Sequence, residues 1–596
     1  MSLAQIQYHI SRGELTLARP LLERASRNSI DPQLLLTFAR VLHALGEKQP
    51  AAYQAARALA AALNTPAEPR LRIIVGELTQ ECGNPKEAQR IFRDGVARFP
   101  QAPNFHSGLV NALRAAGESG RAGDEALIAL AKFPNDVLLN LIGAGALGDS
   151  LRQFAAREAL LRAMSLAPND PRVLVPAATM LQYCDGLEPS VLTEIHRRAG
   201  EALARTVGPV WQPHEWDRTP GRRLKLALVS CDLRDHAVAR FLEPWLAHRD
   251  REAFDYIGVG LLGPDDATTA RLRALCDAWI DASNKPDDQV ANLIRGARPD
   301  IAIDLSGLHV TARPAVFARR VAPVQMTYLG YAGTTGIPAM DFRLVDSITD
   351  PPGAESLATE RLLRLDGCFV CFAPDPRTPE INSTATPGEV TFCSFNAQQK
   401  ITDATLDLWA GALRAVPHAA LLLKSRALTD PRTREILLAA FASRGIDTSR
   451  IEIAPHAPDY ASHLETYNRA DIALDTFPYN GTTTTCEALA MGLPVVTLAG
   501  NAHASRVGST LLAGAGRPDC VAESFQQFVA IADRLACDIT QRDAAGRIQS
   551  KHTAHAALLA SALCNGPKFA ERMDAALREL WTTSGRGSGA ADFPLS

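Results

Sequence analysis

Pro32, Pro66, Pro100, Pro134 and Pro168 stand 34 residues apart, five in a row. A proline cannot continue a helix, because it lacks the amide hydrogen and its ring collides with the preceding turn. A strict period in proline therefore sets a strict period of chain breaks, with room between breaks for two helices and two short turns. Other residues keep the same phase. Gly83 and Gly117 lie 17 residues after Pro66 and Pro100 and suit the tight turn within a pair. Ala88, Ala122 and Ala156 share an offset of 22, and Gly95, Ala129 and Ala163 an offset of 29, so small residues recur where neighbouring helices must approach closely. No such helix pair buries its apolar face alone; stacking does, and it produces a curved solenoid with one open surface.

In period and small-residue positions, residues 1–185 resemble the tetratricopeptide repeat, with the unit after Pro32 the poorest match because Gln54 replaces the expected alanine. The resemblance implies a concave surface that docks an acceptor protein or peptide. Composition agrees with helical repeats, since only 6% of the chain is aromatic and the apolar count leans on alanine and leucine. The full length of 596 residues predicts roughly three to four domains. A net charge of −3, from 62 basic and 65 acidic side chains, excludes the basic surface that coats nucleic acid.

Eleven scattered cysteines form no disulfide framework. Cys368 and Cys371 make one CxxC, but no second pair follows, and the surrounding LDGCFVCF reads as a strand, so neither zinc nor redox chemistry is expected. The segment MSLAQIQYHISRGEL has no charged-then-apolar signal pattern, and no run of 18 apolar residues occurs. The expected setting is a reducing cytoplasm without membrane attachment.

After a helical bridge at about 186–208 and the Pro/Trp-rich stretch VGPVWQPHEWDRTPGRR, the periodicity changes. The runs RLKLALVS, FDYIGVGLL, DIAIDLSG and VQMTYLGYAG read as strands and ATTARLRALCDAW as a helix. From Gly388 a second series follows, with strands VTFCSF, ALLLKS, IEIAP, DIALDTF and LPVVTLAG alternating with helices. Such alternation predicts parallel α/β domains. The chain is therefore read as an α-solenoid followed by α/β: a solenoid at 1–185, a helical linker at 186–222, an α/β domain at 223–380, a second at 388–582 and a flexible tail at 583–596. Ligands of such sheets bind beyond the carboxyl ends of the strands, here in a cleft between the two halves. Gly258-Val-Gly-Leu-Leu-Gly263 satisfies GxGxxG, but its first two glycines lie inside a strand and Pro264 follows the third, so nicotinamide binding is not expected.

Three sets of residues carry chemistry. In the run from Asp475 to Glu487, DTFPYNGTTTTCE, a strand ends, an Asn-Gly turn follows, and four threonines lead into a helix. A helix N-terminus presents unpaired amides and a positive dipole end to a diphosphate, and Glu487, one turn in, suits the hydroxyls of a ribose. In CSFNAQQKI, Lys400 stands after a strand and before the next helix, where it could act as a point cation on phosphate. In the first half, Asp304–His309, Leu329–Gly336 and His236 all follow strands and face the expected cleft.

These segments resemble the O-linked N-acetylglucosamine transferase family, glycosyltransferase family 41, in its bacterial branch. The resemblance rests on VSCDLRDHAVARF, DLSG, RRVAPVQMTYLGYAGTTG, SFNAQQKI, LLLKSRAL and DIALDTFPYNGTTTTCEALAMGLPVVTLAG, with HASRV behind it, and covers nearly the whole chain. It implies a GT-B glycosyltransferase of two Rossmann-like domains that inverts the anomeric centre without a metal. The usual donor would be UDP-N-acetylglucosamine and the acceptor a Ser or Thr hydroxyl on protein. It places His236 in an active-site loop and Lys400 at the diphosphate as catalytic residues. The implied donor-binding set is Lys400, Thr482, Thr483, Thr484, Glu487, His463, Asn396, Gln399, Gly333 and Thr334, with His463 one residue out of register. Gln399 replaces a tyrosine of animal members, Ala397 a glutamine and Thr482 a histidine, and His309 comes later in its loop than usual.

No Asp-x-Asp metal pair stands near a strand end, so Lys400 and the helix terminus must stabilise the leaving diphosphate; one such donor is typically worth ~3 kcal/mol. The proton acceptor is either His236 or a phosphate oxygen of the donor. No metal or other cofactor is expected beyond the UDP-sugar substrate, and homo-oligomers are compatible with such a chain. Two rivals remain: a relative using GDP-fucose or a UDP-hexose, and a repeat scaffold with an inactive transferase half.

Overall fold

In a computed structural model of the chain, the described residues are 3–208, 210–212, 217, 219–384 and 389–584. They divide into two compact units, one of Met1–Leu166 with Ala427–Leu437 and the other of Ala167–Arg426 with Leu438–Ser596.

The first unit is the repeat array. Its helices pair as Leu3–Ser11 with Leu15–Ser26, Pro32–Ala44 with Lys48–Ala62, Glu68–Glu81 with Pro85–Arg98, Pro103–Ala115 with Ser119–Lys132, and Val137–Asp149 with Gln153–Leu166. The phased prolines stand at or just ahead of the first helix of each pair. Pro32 takes the first helical position, where its missing N–H is no loss, and the Asp31 carboxylate caps the amide of Gln33 at 2.9 Å. Gly83 and Gly117 turn with φ of 86° and 79°, and Leu151, 34 residues further on, holds the same left-handed turn at 64°. The offset alanines are buried. In the poorest-matching pair the buried small residues are Ala51, Ala55, Ala58 and Ala62, so the close-packing position falls one residue after Gln54. This unit also includes 427–437, where the Asp430 carboxylate accepts from the amide of Gly120 at 2.8 Å.

The second unit starts with helices Pro171–Leu181 and Pro189–Thr206 and then builds two parallel sheets. The first comprises β1 (Leu224–Ser230), β2 (Phe254–Gly260), β3 (Ala278–Asp281), β4 (Ile301–Asp304), β5 (Val324–Thr327), β6 (Phe342–Asp346) and β7 (Arg361–Leu365), ordered β3-β2-β1-β4-β5-β6-β7. The second comprises β8 (Val390–Ser394), β9 (Ala419–Leu423), β10 (Ile451–Ile453), β11 (Ile472–Leu474), β12 (Val495–Leu498) and β13 (Val521–Ala522), ordered β10-β9-β8-β11-β12-β13. The strands are near-continuous apolar runs because helices cover both faces of such sheets. Gly258 and Gly260 lie within β2, as the reading against a dinucleotide loop requires.

Strand order reverses between β1 and β4 in the first sheet and between β8 and β11 in the second. At such a reversal the connections leave toward opposite faces and open a crevice at the carboxyl edge. The loop carrying His236 follows β1, the loop carrying His309 follows β4, the turn carrying Lys400 follows β8, and Asp475 to Thr483 follow β11. Four of the expected site segments thus emerge at the two reversal points.

The structure corrects several expectations. The helix read through CDAW stops at Leu275, and Ala278–Asp281 forms the short strand β3, with Trp279 over Gly258. Cys368 and Cys371 lie beyond the end of β7 rather than in a strand, both buried, and burial pushes their thiols up to about 12. The last helix, Gly566–Thr583, packs on the first sheet's helix Ala237–His248 and on β7, although in chain order it follows the second sheet. There Asp574 accepts from the amide of Asp250 at 2.8 Å and from the Tyr256 hydroxyl at 3.2 Å. Parts of the expected linker (209, 213–216 and 218), 385–388 of the connection and 585–596 of the tail lie outside the described residues. Among the described residues no helix is long and apolar enough to cross a membrane.

Candidate active site

The turn after β11 is built around one buried carboxylate. Asp475 accepts from the amides of Thr476 (2.8 Å) and Gly481 (2.7 Å) on one oxygen and from the Thr497 hydroxyl (2.8 Å) on the other. Burial pushes its carboxyl up to about 6 against those hydrogen bonds. Asn480, fully buried, donates its side-chain amide to the Thr476 carbonyl at 2.8 Å and accepts from the amide of Gly508 at 3.2 Å. The Asn-Gly pair of the sequence is thereby consumed in fixing the turn, which leaves the Asn480 carbonyl pointing outward.

That carbonyl accepts from Lys400 Nζ at 2.9 Å. Lys400 ends the short turn Gln398–Lys400, just before Thr402 caps the helix Asp403–Ala415. Its ammonium lies 4.6 Å from the centroid of Tyr479, which in turn stacks on Tyr183 at 4.7 Å. Burial lowers the lysine to about 8, with Asp475 working against the shift. Lys400 is therefore a cation in a partly dry site, weakly countered and close to losing its proton.

Beyond the turn, the helix Thr483–Ala490 begins with no side-chain cap from Thr482. First-turn amides have no acceptor inside a helix, so this end offers donors. Thr484 donates to Asn396 Oδ1 at 3.0 Å and Thr485 to the Gly481 carbonyl at 3.0 Å. Among the described residues the half-buried Thr482 and Thr483 hydroxyls meet no partner. Asn396, just past the end of β8, acts as a brace for Thr484, and Gln399 sits half-buried beside Lys400.

Glu487, one turn in, is buried and meets His463 Nε2 at 3.1 Å. The imidazole is walled by Tyr460 at 6.0 Å, Tyr467 at 5.9 Å and Phe395 at 6.1 Å. Lys424 completes this group: its Nζ donates to the His463 carbonyl and the Thr466 hydroxyl, each at 2.8 Å, and lies 4.4 Å from the Phe395 centroid. Burial lowers it to about 8, opposed by Glu487. Sequence reading does not single out Lys424 within LLLKS; the available signal is a lysine directly behind a buried strand, a placing close to that of Lys400 after β8.

His236 heads the helix Ala237–His248, and its Nδ1 accepts from the amide of Val238 at 3.3 Å. A neutral ring that accepts at Nδ1 carries its proton on Nε2, and so presents a donor. Burial lowers its pKa, Asp232 opposes that shift, and His309 and the nearby arginines add to it. The two halves meet here, with the Arg240 guanidinium 4.0 Å from the centroid of Tyr460.

Gly333 and Thr334 lie in the loop between β5 and β6. The Thr334 hydroxyl donates to Glu360 at 2.6 Å, and Thr335 is bound to the same carboxylate. A side chain at Gly333 would strike Gln182. Both residues line a cavity of about 350 Å³ with Gln182, His196, Arg343 and His503, and Phe477 and Pro478 of the turn after β11 line it too. The Tyr331 hydroxyl pairs with His196 at 2.7 Å and binds the loop to the helix Pro189–Thr206. Among the described residues, one group has the spacing of metal ligands: Cys231, Asp232 and His309.

Comparison with known proteins matches this arrangement to one family. The profile of Glycosyl transferase family 41 covers residues 208–373 and 383–573. The probable UDP-N-acetylglucosamine--peptide N-acetylglucosaminyltransferase SPINDLY of Arabidopsis thaliana is 34% identical over 405 residues, 67% of this chain and 43% of its own length. The corresponding protein named SEC from the same plant is 26% identical over 307 residues, 50% of this chain and 31% of its own. This chain thus spans less than half the length of those relatives. Among solved structures, a mutant form of the Thermobaculum terrenum O-GlcNAc transferase superposes with a TM-score of 0.76 at 32% identity, covering 87% of this chain and 98% of that one. The two parallel sheets, the crevice at their reversal points and these matches together make the chain a member of glycosyl transferase family 41.

Proposed function

We propose that the protein is an inverting, metal-independent O-glycosyltransferase that moves N-acetylglucosamine from UDP-N-acetylglucosamine to Ser or Thr hydroxyls of proteins held by the repeat array. The observation that carries the reading is the Lys400–Asn480 contact, which sets a half-buried ammonium beside the turn that leads into the uncapped helix Thr483–Ala490. The names of the relatives point to the same donor and to a peptide acceptor.

In the proposed reaction the acceptor oxygen attacks the anomeric carbon as the bond to the diphosphate breaks. The electron pair leaves on the β-phosphate, where Lys400, the hydroxyls of Thr482 and Thr483 and the first-turn amides take up the growing charge. Glu487, oriented by His463, accepts from the ribose hydroxyls. His236 Nε2–H donates to the substrate and orients it, and a donor phosphate oxygen takes the acceptor's proton. Asn396 and Gln399 shape the floor of the donor site. The eleven free cysteines fit a reducing compartment, which we take to be the cytoplasm.

Incubating the chain with UDP-N-acetylglucosamine and candidate acceptor proteins, followed by intact-mass analysis, should add N-acetylhexosamine increments to the acceptors. A parallel thermal-shift panel should respond to UDP and its N-acetylglucosamine ester more than to GDP-fucose or UDP-glucose. A GDP preference would move the reading to the fucosyl relative, and the absence of any nucleotide response would favour an inactive scaffold.

A further inference from the structure

β1 and β4 are the two strands flanking the reversal in the first sheet, and their ends bring together a thiol, a carboxylate and an imidazole. The ligand atoms of Cys231, Asp232 and His309 all lie within 4.8 Å of one another. Cys231 Sγ is 3.2 Å from Asp232 Oδ2 and 3.2 Å from the Thr311 hydroxyl, which itself meets His309 Nδ1 at 3.2 Å. His236 Nδ1 stands 3.8 Å from the same Asp232 oxygen. In a tetrahedral site with bonds near 2.0–2.3 Å, ligand atoms stand about 3.5 Å apart, so side-chain shifts of about 1 Å would close these groups on one ion.

A second observation points to a cation. Asp232 is only 3% exposed, yet among the described residues its carboxylate accepts no hydrogen bond other than the Cys231 thiol. The nearest basic groups, the Arg234 guanidinium and the neutral His236 ring, each stay 3.8 Å away. Buried carboxylates are normally paired, hydrogen-bonded or bound to metal, and this one holds only a thiol donor at hydrogen-bond distance, with two basic groups at 3.8 Å. The donor set decides the class of ion: a thiolate and an imidazole favour borderline-soft zinc-like ions over magnesium or calcium, which prefer oxygen alone.

We propose that Cys231, Asp232 and His309 form a binding site for a zinc-class divalent cation, with His236 completing the coordination, and that occupancy reversibly inhibits the enzyme. On binding, the Cys231 thiol gives its proton to solvent, the ion sheds water, and the sulfur, one carboxylate oxygen and one neutral imidazole nitrogen coordinate it. The ion takes His236 out of its contact with the Val238 amide and stands in the crevice at the carboxyl edge. The site is independent of the function proposed above; only the inhibition rests on that function.

The binding test uses the full chain, stripped with chelator and titrated with Co²⁺. The expected signal is thiolate-to-cobalt charge-transfer absorption in the near ultraviolet together with intense tetrahedral visible bands, saturating at one equivalent and displaced by Zn²⁺. Cys231→Ser should abolish the charge-transfer band, and His309→Ala should weaken Co²⁺ binding at least tenfold. A band that survives Cys231→Ser would belong to one of the other ten thiols and would overturn the site, as would a titration with no thiolate band. Should Cys231→Ser fail to fold, His309→Ala, on a half-buried loop, carries the test, and unchanged Co²⁺ affinity in it overturns the site. Zn²⁺ should then suppress wild-type transfer and leave unaffected whatever transfer Cys231→Ser retains. Stoichiometric binding without suppression would overturn the inhibitory role alone, and a chain that binds Co²⁺ but transfers no sugar would instead count against the proposed function.

Discussion

Lys400 reaches across from the turn after β8 to donate to the backbone carbonyl of Asn480 at 2.9 Å, on the turn after β11. One lysine thus ties together the two loops that flank the reversal point of the second sheet, and burial has already brought it down to about 8. Removing it should separate function from stability. Lys400→Ala should lower the transfer rate about 10²–10³-fold, the usual effect of deleting a preorganised donor to a leaving group. Lys400→Met should stabilise the fold at neutral pH by roughly 1–2 kcal/mol, since the cost of burying the charge exceeds one lost hydrogen bond. Activity assays paired with chemical denaturation check both, and wild-type turnover in either variant would remove Lys400 from the phosphate site.

The same lowering sets a pH limb. Lys400 is charged below about 8 and neutral above it, against an ordinary value of 10.5. The charged form is the one that stabilises the leaving group, so kcat/KM for the donor should fall as pH rises through about 8, approaching tenfold per unit. Lys400→Arg keeps its charge over this range and should abolish the limb, whatever it does to the absolute rate. A limb that persists in the arginine variant assigns the titration to another group.

Glu487 and His463 should report on the nucleotide alone. Glu487→Gln keeps the shape but weakens acceptance from vicinal hydroxyls, which should raise the Kd for UDP about tenfold, equivalent to ~1.4 kcal/mol. Its effect on kcat should stay within about threefold, because the ribose contact is made equally before and during transfer. His463→Ala should give a smaller shift in the same direction. Calorimetric titration with UDP checks the order of these effects.

Within the repeat array, Gly95 marks how tightly the helices pack. A Cβ there would stand 2.3 Å from the ring of Phe105, itself fully buried and unable to yield. Gly95→Ala should cost about 1–3 kcal/mol and Gly95→Val more. Thermal unfolding followed by helical circular dichroism would show this as an earlier transition, and an unchanged midpoint would mean that the pair relaxes.

Legibility in the sequence follows the range of the interactions involved. The helix pairs are readable because proline and glycine act through their own backbone, at the position where they stand. Leu151 escapes such a reading because its left-handed turn is imposed by the surrounding pair instead of favoured by the residue. Among site residues, Lys400, Thr484, Glu487, His463 and Asn396 gather as expected, since most follow a strand or open a helix at one reversal point. The partner of Thr334 is not legible locally, because Glu360, 26 residues away, accepts from its hydroxyl. Lys424 is hidden because what distinguishes it is burial against Phe395 and His463, a property of the assembled fold. Strand β3 hides within an apparent helix because four residues at a sheet edge carry too little periodicity to compete with the preceding amphipathic run.

The final helix has a consequence for how the protein is made. Asp250 and Asp574, joined by a hydrogen bond, are 324 residues apart along the chain. During synthesis the first sheet emerges well before the helix that covers Ala237–His248 and the edge at β7, so that outer surface waits uncovered while the whole second sheet is translated. Completion of the first domain is thus postponed until Gly566–Thr583 has been translated, and a nascent chain stalled between residues 365 and 566 would hold a sticky, half-finished domain for chaperones or proteases to recognise.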